Sequence, residues 1–243
     1  MKPKPLICFL ALAGVFSVSF ARGAASQSPL VGAWHASGPI EQVLIIAPDY
    51  WSQTWFEHEK HAFVRTRGGS YVVHGDDVEV RLQFDSKDKS DVGKPASAKI
   101  AVSGKNLTVT DSSGVTQKWI RIDNGHGPQA GTWRITGRHS NGKFSEMPLR
   151  ARRTLKILSG TWFQWVAINV ETGEFSGTGG GTYTFNDGKY VEQIEFFSRD
   201  NSRVGARLEF SGEVTGDTWR HRGRSSKGDP LDETWSRFNG ATP

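Results

Sequence analysis

The stretch Gly179-Gly-Gly-Thr-Tyr-Thr-Phe-Asn-Asp-Gly-Lys-Tyr-Val-Glu-Gln-Ile-Glu-Phe-Phe-Ser198 reads as two strands joined by a turn. Aromatic and β-branched residues flank Asn186-Asp187-Gly188, whose residue types tolerate the positive φ angles of a tight hairpin. A looser copy lies upstream, Gly68-Gly-Ser-Tyr-Val-Val-His-Gly-Asp-Asp-Val-Glu-Val-Arg-Leu-Gln-Phe-Asp-Ser86. The chain is therefore one β unit written twice, and a repeat of this kind sets the fold before any single residue is weighed. The copies open on Val31-Gly-Ala-Trp34 and Ala130-Gly-Thr-Trp133, and close on Trp119-Ile-Arg121 and Trp235-Ser-Arg237. The offset between them grows from 99 positions (Trp34 to Trp133) to 112 (Tyr71 to Tyr183) and 116 (Trp119 to Trp235), as a duplication with loop insertions in the second copy requires.

Working outward, the first copy predicts strands near 31–37, 41–47, 50–57, 62–66, 69–74, 77–85, 97–103 and 106–122, the last broken at Ser112-Ser-Gly114. The second predicts them near 131–137, 152–158, 161–168, 173–177, 180–186, 189–197, 204–212, 215–222 and 232–238. No stretch carries a helical period. Consecutive antiparallel strands with one apolar face avoid open edges by closing into a barrel, and eight strands enclose either packed side chains or one small ligand. The glycines of Gly177-Thr-Gly-Gly-Gly181 fit a bend or bulge at a barrel corner, since a phosphate loop needs a Gly-Lys-Ser/Thr ending and a following helix.

The chain has 243 residues with 36% hydrophobic and 23% charged residues, a globular composition. Lys2 and Lys4 precede an apolar run, Leu6 to Phe20, and small residues around Ala21–Ala25. This pattern predicts a signal peptide over residues 1–25 and a secreted or periplasmic protein with no integral membrane segment in the mature chain. Cys8 is the only cysteine, so the mature chain is expected to hold no disulfide. Lys2, Lys4 and Arg22 supply much of the excess behind the formal charge of +5 and lie at the processed end: Lys/Arg against Asp/Glu number 11 and 11 over residues 31–122, and 16 and 13 over 130–243. Nucleic acid is therefore not an expected partner.

The opening Gly-x-Trp and the Trp-x-Arg of the last strand resemble the closure of the calycin and lipocalin group. More specifically, Leu155-Lys-Ile-Leu-Ser-Gly-Thr-Trp-Phe-Gln-Trp165, Gly-Gly-Gly-Thr-Tyr183, Tyr190-Val-Glu-Gln-Ile-Glu-Phe196 and Trp219-Arg-His221 are similar to a bacterial secreted lipocalin-like family of unknown function. The resemblance covers nearly all of the second copy and, more loosely, the first. It implies an all-β fold of two tandem lipocalin-like antiparallel up-and-down β-barrels, at 30–122 and 130–240, joined by a linker at 123–129. It also implies that Trp34 meets Arg121, and Trp133 meets Arg237, across each barrel floor.

Strand alternation then sorts the interiors. On Asp77–Asp85 the apolar face is Val78, Val80, Leu82 and Phe84; the same face in the second copy is Tyr190, Glu192, Ile194 and Phe196. Glu192 thus stands where the first copy has Val80. Tyr183, Trp165 with Phe163, and Trp219 with His221 are placed inward by the same argument. A carboxylate inside an aromatic barrel needs a partner or a purpose. Three readings follow. The second barrel binds a small, apolar or amphipathic ligand through Trp165, Tyr183, Tyr190, Glu192, Trp219 and His221. Or Glu192 and His221 act as acid and base in a cofactor-free isomerase or hydrolase, which requires convergence beside open volume. Or both barrels are filled and the protein is a structural or interaction module. No metal or cofactor is expected: His58-Glu-Lys-His61 falls on a hairpin tip, where its histidines diverge. The basic clusters Arg150–Arg153 and Arg220–Arg224 read as polar rims.

Overall fold

A computed structural model describes residues 28–140 and 142–240; the expected signal peptide lies outside the described residues. Strands β1 (Gly32–Ala36), β2 (Glu41–Ile46), β3 (Tyr50–Glu57), β4 (Ala62–His74), β5 (Asp77–Asp85), β6 (Pro95–Ser103), β7 (Asn106–Asp111) and β8 (Thr116–Asp123) pair in sequence order, and β1 pairs with β8 to close a barrel. Strands β9 (Gly131–Ser140), β10 (Lys143–Glu146), β11 (Arg152–Leu158), β12 (Trp162–Asn169), β13 (Phe175–Asn186), β14 (Lys189–Phe197), β15 (Arg207–Thr215), β16 (Thr218–Arg224) and β17 (Pro230–Arg237) form the second sheet. It closes through β9 and β17, leaving β10 as a hairpin arm on β9. The fold is thus two tandem up-and-down barrels.

The Asp187-Gly188 turn between β13 and β14 has φ of 49° and 76°, the paired positive angles of a two-residue hairpin. Each copy's Gly-Gly pair does not interrupt a strand, as the predicted strand limits suggested, but lies within one long strand opposite a bulge in the next. The ladder shifts between Gly68 and Gly69, leaving Gln83 unpaired, and between Gly180 and Gly181, leaving Glu195 unpaired. The side-chain period is two, so one extra residue turns everything beyond it to the other face. This corrects the placement of Phe84 and Phe196. Both were assigned to barrel interiors, and the bulge turns both outward. Each ring then lies across the partner strand, within 2.6 Å of where a Cβ on Gly68 or Gly180 would stand, which is why glycine is needed there.

Those outward rings hold the barrels together. Val43, Ile45, Tyr50, Phe56 and Phe84 of the first pack with Leu155, Ile157, Val166, Ile168, Phe196 and Phe238 of the second in one buried cluster. Phe63 stacks on Phe175, its counterpart 112 positions on, with centroids 6.4 Å apart and planes 4° from parallel. Equivalent residues meeting each other is the signature of a two-fold arrangement, here within one chain. Buried Gln164 fixes the register by donating to Thr66 (2.8 Å) and to Thr178 (2.9 Å), again a pair 112 apart, while accepting from Thr54 (3.1 Å). Asp123 ties the end of β8 to the β11–β12 turn: it accepts from Ser159 Oγ (2.8 Å), Gly160 N (3.0 Å), Thr161 N (2.9 Å) and Thr161 Oγ1 (2.7 Å).

Both floors are closed in the same way. Arg121 stacks 3.8 Å over the Trp34 ring and donates to Val31 O and Pro29 O; Arg237 stacks 4.0 Å over Trp133 and donates to Ala130 O and Pro128 O. The indoles in turn donate to Leu30 O (2.9 Å) and Gln129 O (2.7 Å). The planar guanidinium suits both tasks at once.

Candidate functional site: two barrels with unlike interiors

The register of the two sheets sets their interiors side by side. Val78 pairs with Ala98 in the first barrel, and Tyr190 with Phe210 in the second. Leu107 pairs with Trp119, and Trp219 with Trp235. Val109 pairs with Ile100, and His221 with Gly212. At each of these levels the second barrel carries a ring where the first carries a small or branched aliphatic group. Gly212 completes the exchange: a Cβ there would stand 3.1 Å from Trp219 Nε1, so the larger indole needs the smaller neighbour.

The consequence is open volume in one barrel and filled space in the other. The first barrel encloses a cavity of about 390 Å³. Its inner end is Leu30, Leu107 and Trp119, and its wall includes Leu44, Val78, Val80, Leu82 and Ala98. Asp91, Lys94, Asp111 and Val115 stand at the outer end. This volume is within the range of small-molecule sites, and apolar walls with a few polar groups are their usual lining.

In the second barrel Tyr190 is fully buried at the centre, 5.0 Å from Trp219, 5.4 Å from Tyr183, 5.6 Å from His221 and 6.0 Å from Phe210 between ring centroids. Trp219 lies 5.6 Å from Trp133. All six residues expected to line a ligand site here do sit on this interior. They fill it instead of surrounding a space: Trp165 packs on Phe197 (5.5 Å), and Tyr183 donates to Ser159 O (2.6 Å) just as Tyr71 donates to Ala47 O (2.7 Å).

Glu192 is buried, as its strand position requires, and its partner is Lys156 Nζ at 2.6 Å. Lys156 was not singled out in the sequence, although it stands 112 positions after Leu44, a wall residue of the first cavity. Its ammonium lies 5.1–5.8 Å from the centroids of Tyr190, Trp219, Trp235, Phe163 and Phe210, a closed aromatic cage. His221 takes a different carboxylate: its Nδ1 is 3.7 Å from Glu233 Oε2, beyond hydrogen-bond reach. Burial, with the Lys156 ammonium, pushes the His221 imidazole below its ordinary range despite Glu233 and Glu192. Burial raises the Glu233 carboxyl, but His221, Arg138 (2.7 Å) and Lys156 outweigh it and hold it at about 2. Glu192 and His221 therefore sit among rings, Glu192 paired with Lys156 and His221 nearest Glu233, and the open volume that acid/base work needs is in the other barrel.

The remaining motifs take structural places. His58 pairs with Glu195 of the second barrel at 3.6 Å, His61 turns the hairpin tip at φ 53°, and among the described residues no group of three or more potential metal ligands converges. Arg220 and Arg222 share Asp232, and Arg153 lies 5.6 Å from the Phe238 centroid in the inter-barrel cluster.

Among solved structures the chain is similar to a lipocalin-like protein from Bacteroides uniformis, with 12% identity over 46% of this chain and 100% of that one, and a TM-score of 0.33. No family model and no curated protein matches the chain. The fold described above rests on the strand pairing alone.

Proposed function

We propose that this protein binds a small, largely apolar molecule in the first barrel, and that the second barrel is its packed partner. The observation carrying this reading is the exchange of interior residues at matched positions: Val78, Ala98, Leu107 and Val109 against Tyr190, Phe210, Trp219 and His221, with about 390 Å³ open on the aliphatic side. The second barrel covers the apolar outer faces of β2, β3 and β5, which would otherwise meet water. The basic and apolar run at Lys2–Phe20 supports the reading that the protein is exported, in which case the ligand is a periplasmic or extracellular small molecule.

The test is a titration with N-phenyl-1-naphthylamine, a neutral apolar probe whose emission rises in a dry site. The expected result is one saturable site, lost in Ala98→Phe, which installs the second barrel's residue in the first. Binding that survives Ala98→Phe but disappears in a second-barrel variant would overturn the assignment.

A further inference from the structure

Each barrel points one long cation inward, and the two are neutralised differently. In the filled barrel Lys156 has Glu192 at 2.6 Å. In the open barrel the cation is Arg67, on the cavity wall beside Gln53. Arg67 donates from Nε (3.3 Å) and one terminal nitrogen (3.1 Å) to Gln53 Oε1, a neutral acceptor. Its guanidinium carbon lies 5.4 Å from the Trp55 centroid and 5.9 Å from that of Trp51. Among the described residues no carboxylate stands within ion-pair distance of it. The nearby acids are committed elsewhere: Asp111 accepts from Ser113 N, Ser113 Oγ and Val115 N (2.6–3.0 Å), and Asp91 is 3.3 Å from Lys94. Burial, with the neighbouring Arg65, lowers the Arg67 pKa against the pull of Asp85, Asp111 and Asp91.

Arg67 belongs to the open barrel alone. Gly179 stands 112 positions on, and Trp165 occupies the Gln53 position, its indole nitrogen 2.8 Å from where a Gly179 Cβ would be. A half-buried cation facing an apolar cavity without an internal anion is costly unless a ligand supplies one. A forked guanidinium, one of whose terminal nitrogens (Nη1) makes no hydrogen bond among the described residues, matches the planar geometry of a carboxylate.

We infer that the ligand of the first barrel is an amphiphile bearing a carboxylate, with its head against Arg67 and Gln53 and its tail directed toward Leu107 and Trp119. This rests on the proposed binding role and specifies the ligand class. It is tested by displacing bound N-phenyl-1-naphthylamine with chain-matched decanoate and decanol at neutral pH, in the wild-type protein, Arg67→Gln and Arg67→Lys. The wild type is expected to favour decanoate by about tenfold or more, the worth of one charge-assisted contact. Arg67→Gln should remove that preference while leaving decanol affinity intact, which also shows that the variant is folded, and Arg67→Lys should retain part of it. Equal affinity for the two ligands in the wild type, or a preference unchanged in Arg67→Gln, overturns the inference and leaves the apolar-site reading standing. Failure of the probe to bind the wild type at all removes both.

Discussion

Replacing Glu192 with valine, the residue at the matching position of the first copy, leaves the Lys156 ammonium buried without its carboxylate. Both side chains are nearly inaccessible, at 6% for Lys156 and 4% for Glu192, so water does not take over as partner. Removing one member of such a pair costs about 3–5 kcal/mol, whereas replacing both with apolar groups of similar size is often close to neutral. Glu192→Val is therefore expected to destabilise the protein by about 3 kcal/mol or more. Lys156→Leu with Glu192→Val reproduces the Leu44–Val80 pair of the first barrel and should lie within about 2 kcal/mol of wild type, its remaining deficit being the cage of five rings that loses its cation. With either single change costing about 3 kcal/mol or more and the double within about 2, the coupling energy between the two sites should be about 4 kcal/mol or more. Equilibrium urea unfolding followed by tryptophan emission reads all four corners of the cycle, with unchanged m-values checking that the same transition is compared. A Glu192→Val variant that loses less than about 1 kcal/mol, or a double variant as weak as the two singles summed, would refute the buried-pair account.

Two further predictions test the joints of the architecture. Burial raises the Asp123 carboxyl, but hydrogen bonds from Thr161, Gly125, Gly160 and Ser159 outweigh this and lower its pKa in the folded protein. Its stabilising contribution is therefore complete above the unfolded value of about 3.9 and is lost as pH falls through the lower folded one. Asp123→Asn should cost about 1.5–3 kcal/mol at neutral pH, and its deficit in melting temperature against wild type should shrink below about pH 4; a deficit constant with pH would sink the charge argument. Gly181 has φ of +155°, and a Cβ there would stand 2.0 Å from Gln193 O, so Gly181→Ala should cost about 2 kcal/mol or more in urea unfolding. Gly216, at φ +56° with nothing within 4 Å, should lose about 1 kcal/mol on the same change, and equal losses at the two sites would show that the bulge is not constrained.

The repeat made the barrels legible, because matched Trp, Tyr and Gly positions require one unit folded twice and alternating strands require a buried face. The floor closures Trp34–Arg121 and Trp133–Arg237 followed from the resemblance and hold in the structure. Phe84 and Phe196 were misplaced because the extra residues Gln83 and Glu195 add one position to a period of two, and the bulge expected at the glycines was not carried into the alternation of the next strand. The β10 arm was missed because Lys143–Glu146 is exposed throughout and shows no apolar alternation. The residues singled out as a candidate site all lie in the second barrel, whereas the proposed site lies in the first, and this difference has its own reason. Glu192 was compared with Val80, and Tyr190 with Val78, but the same offset was not carried to Lys156 over Leu44, Phe210 over Ala98 or Trp219 over Leu107. Those three comparisons were available in the sequence. They supply both the missing partner of Glu192 and the rings that fill the space around it. Arg67 was not distinguishable beforehand, since an arginine on a strand declares its isolation only once its neighbours' partners are known.

On the proposed reading the first barrel holds the ligand and the second is closed to it. A crystal structure of the protein grown with a bromine-bearing fatty acid tests this most directly, because the anomalous signal of bromine locates the molecule independently of the protein map. The expected result is one bromine peak in the first barrel, among Leu44, Val80 and Trp119, with the carboxylate at Arg67. A peak among Tyr190, Trp219 and His221, with the first barrel unoccupied, would contradict it.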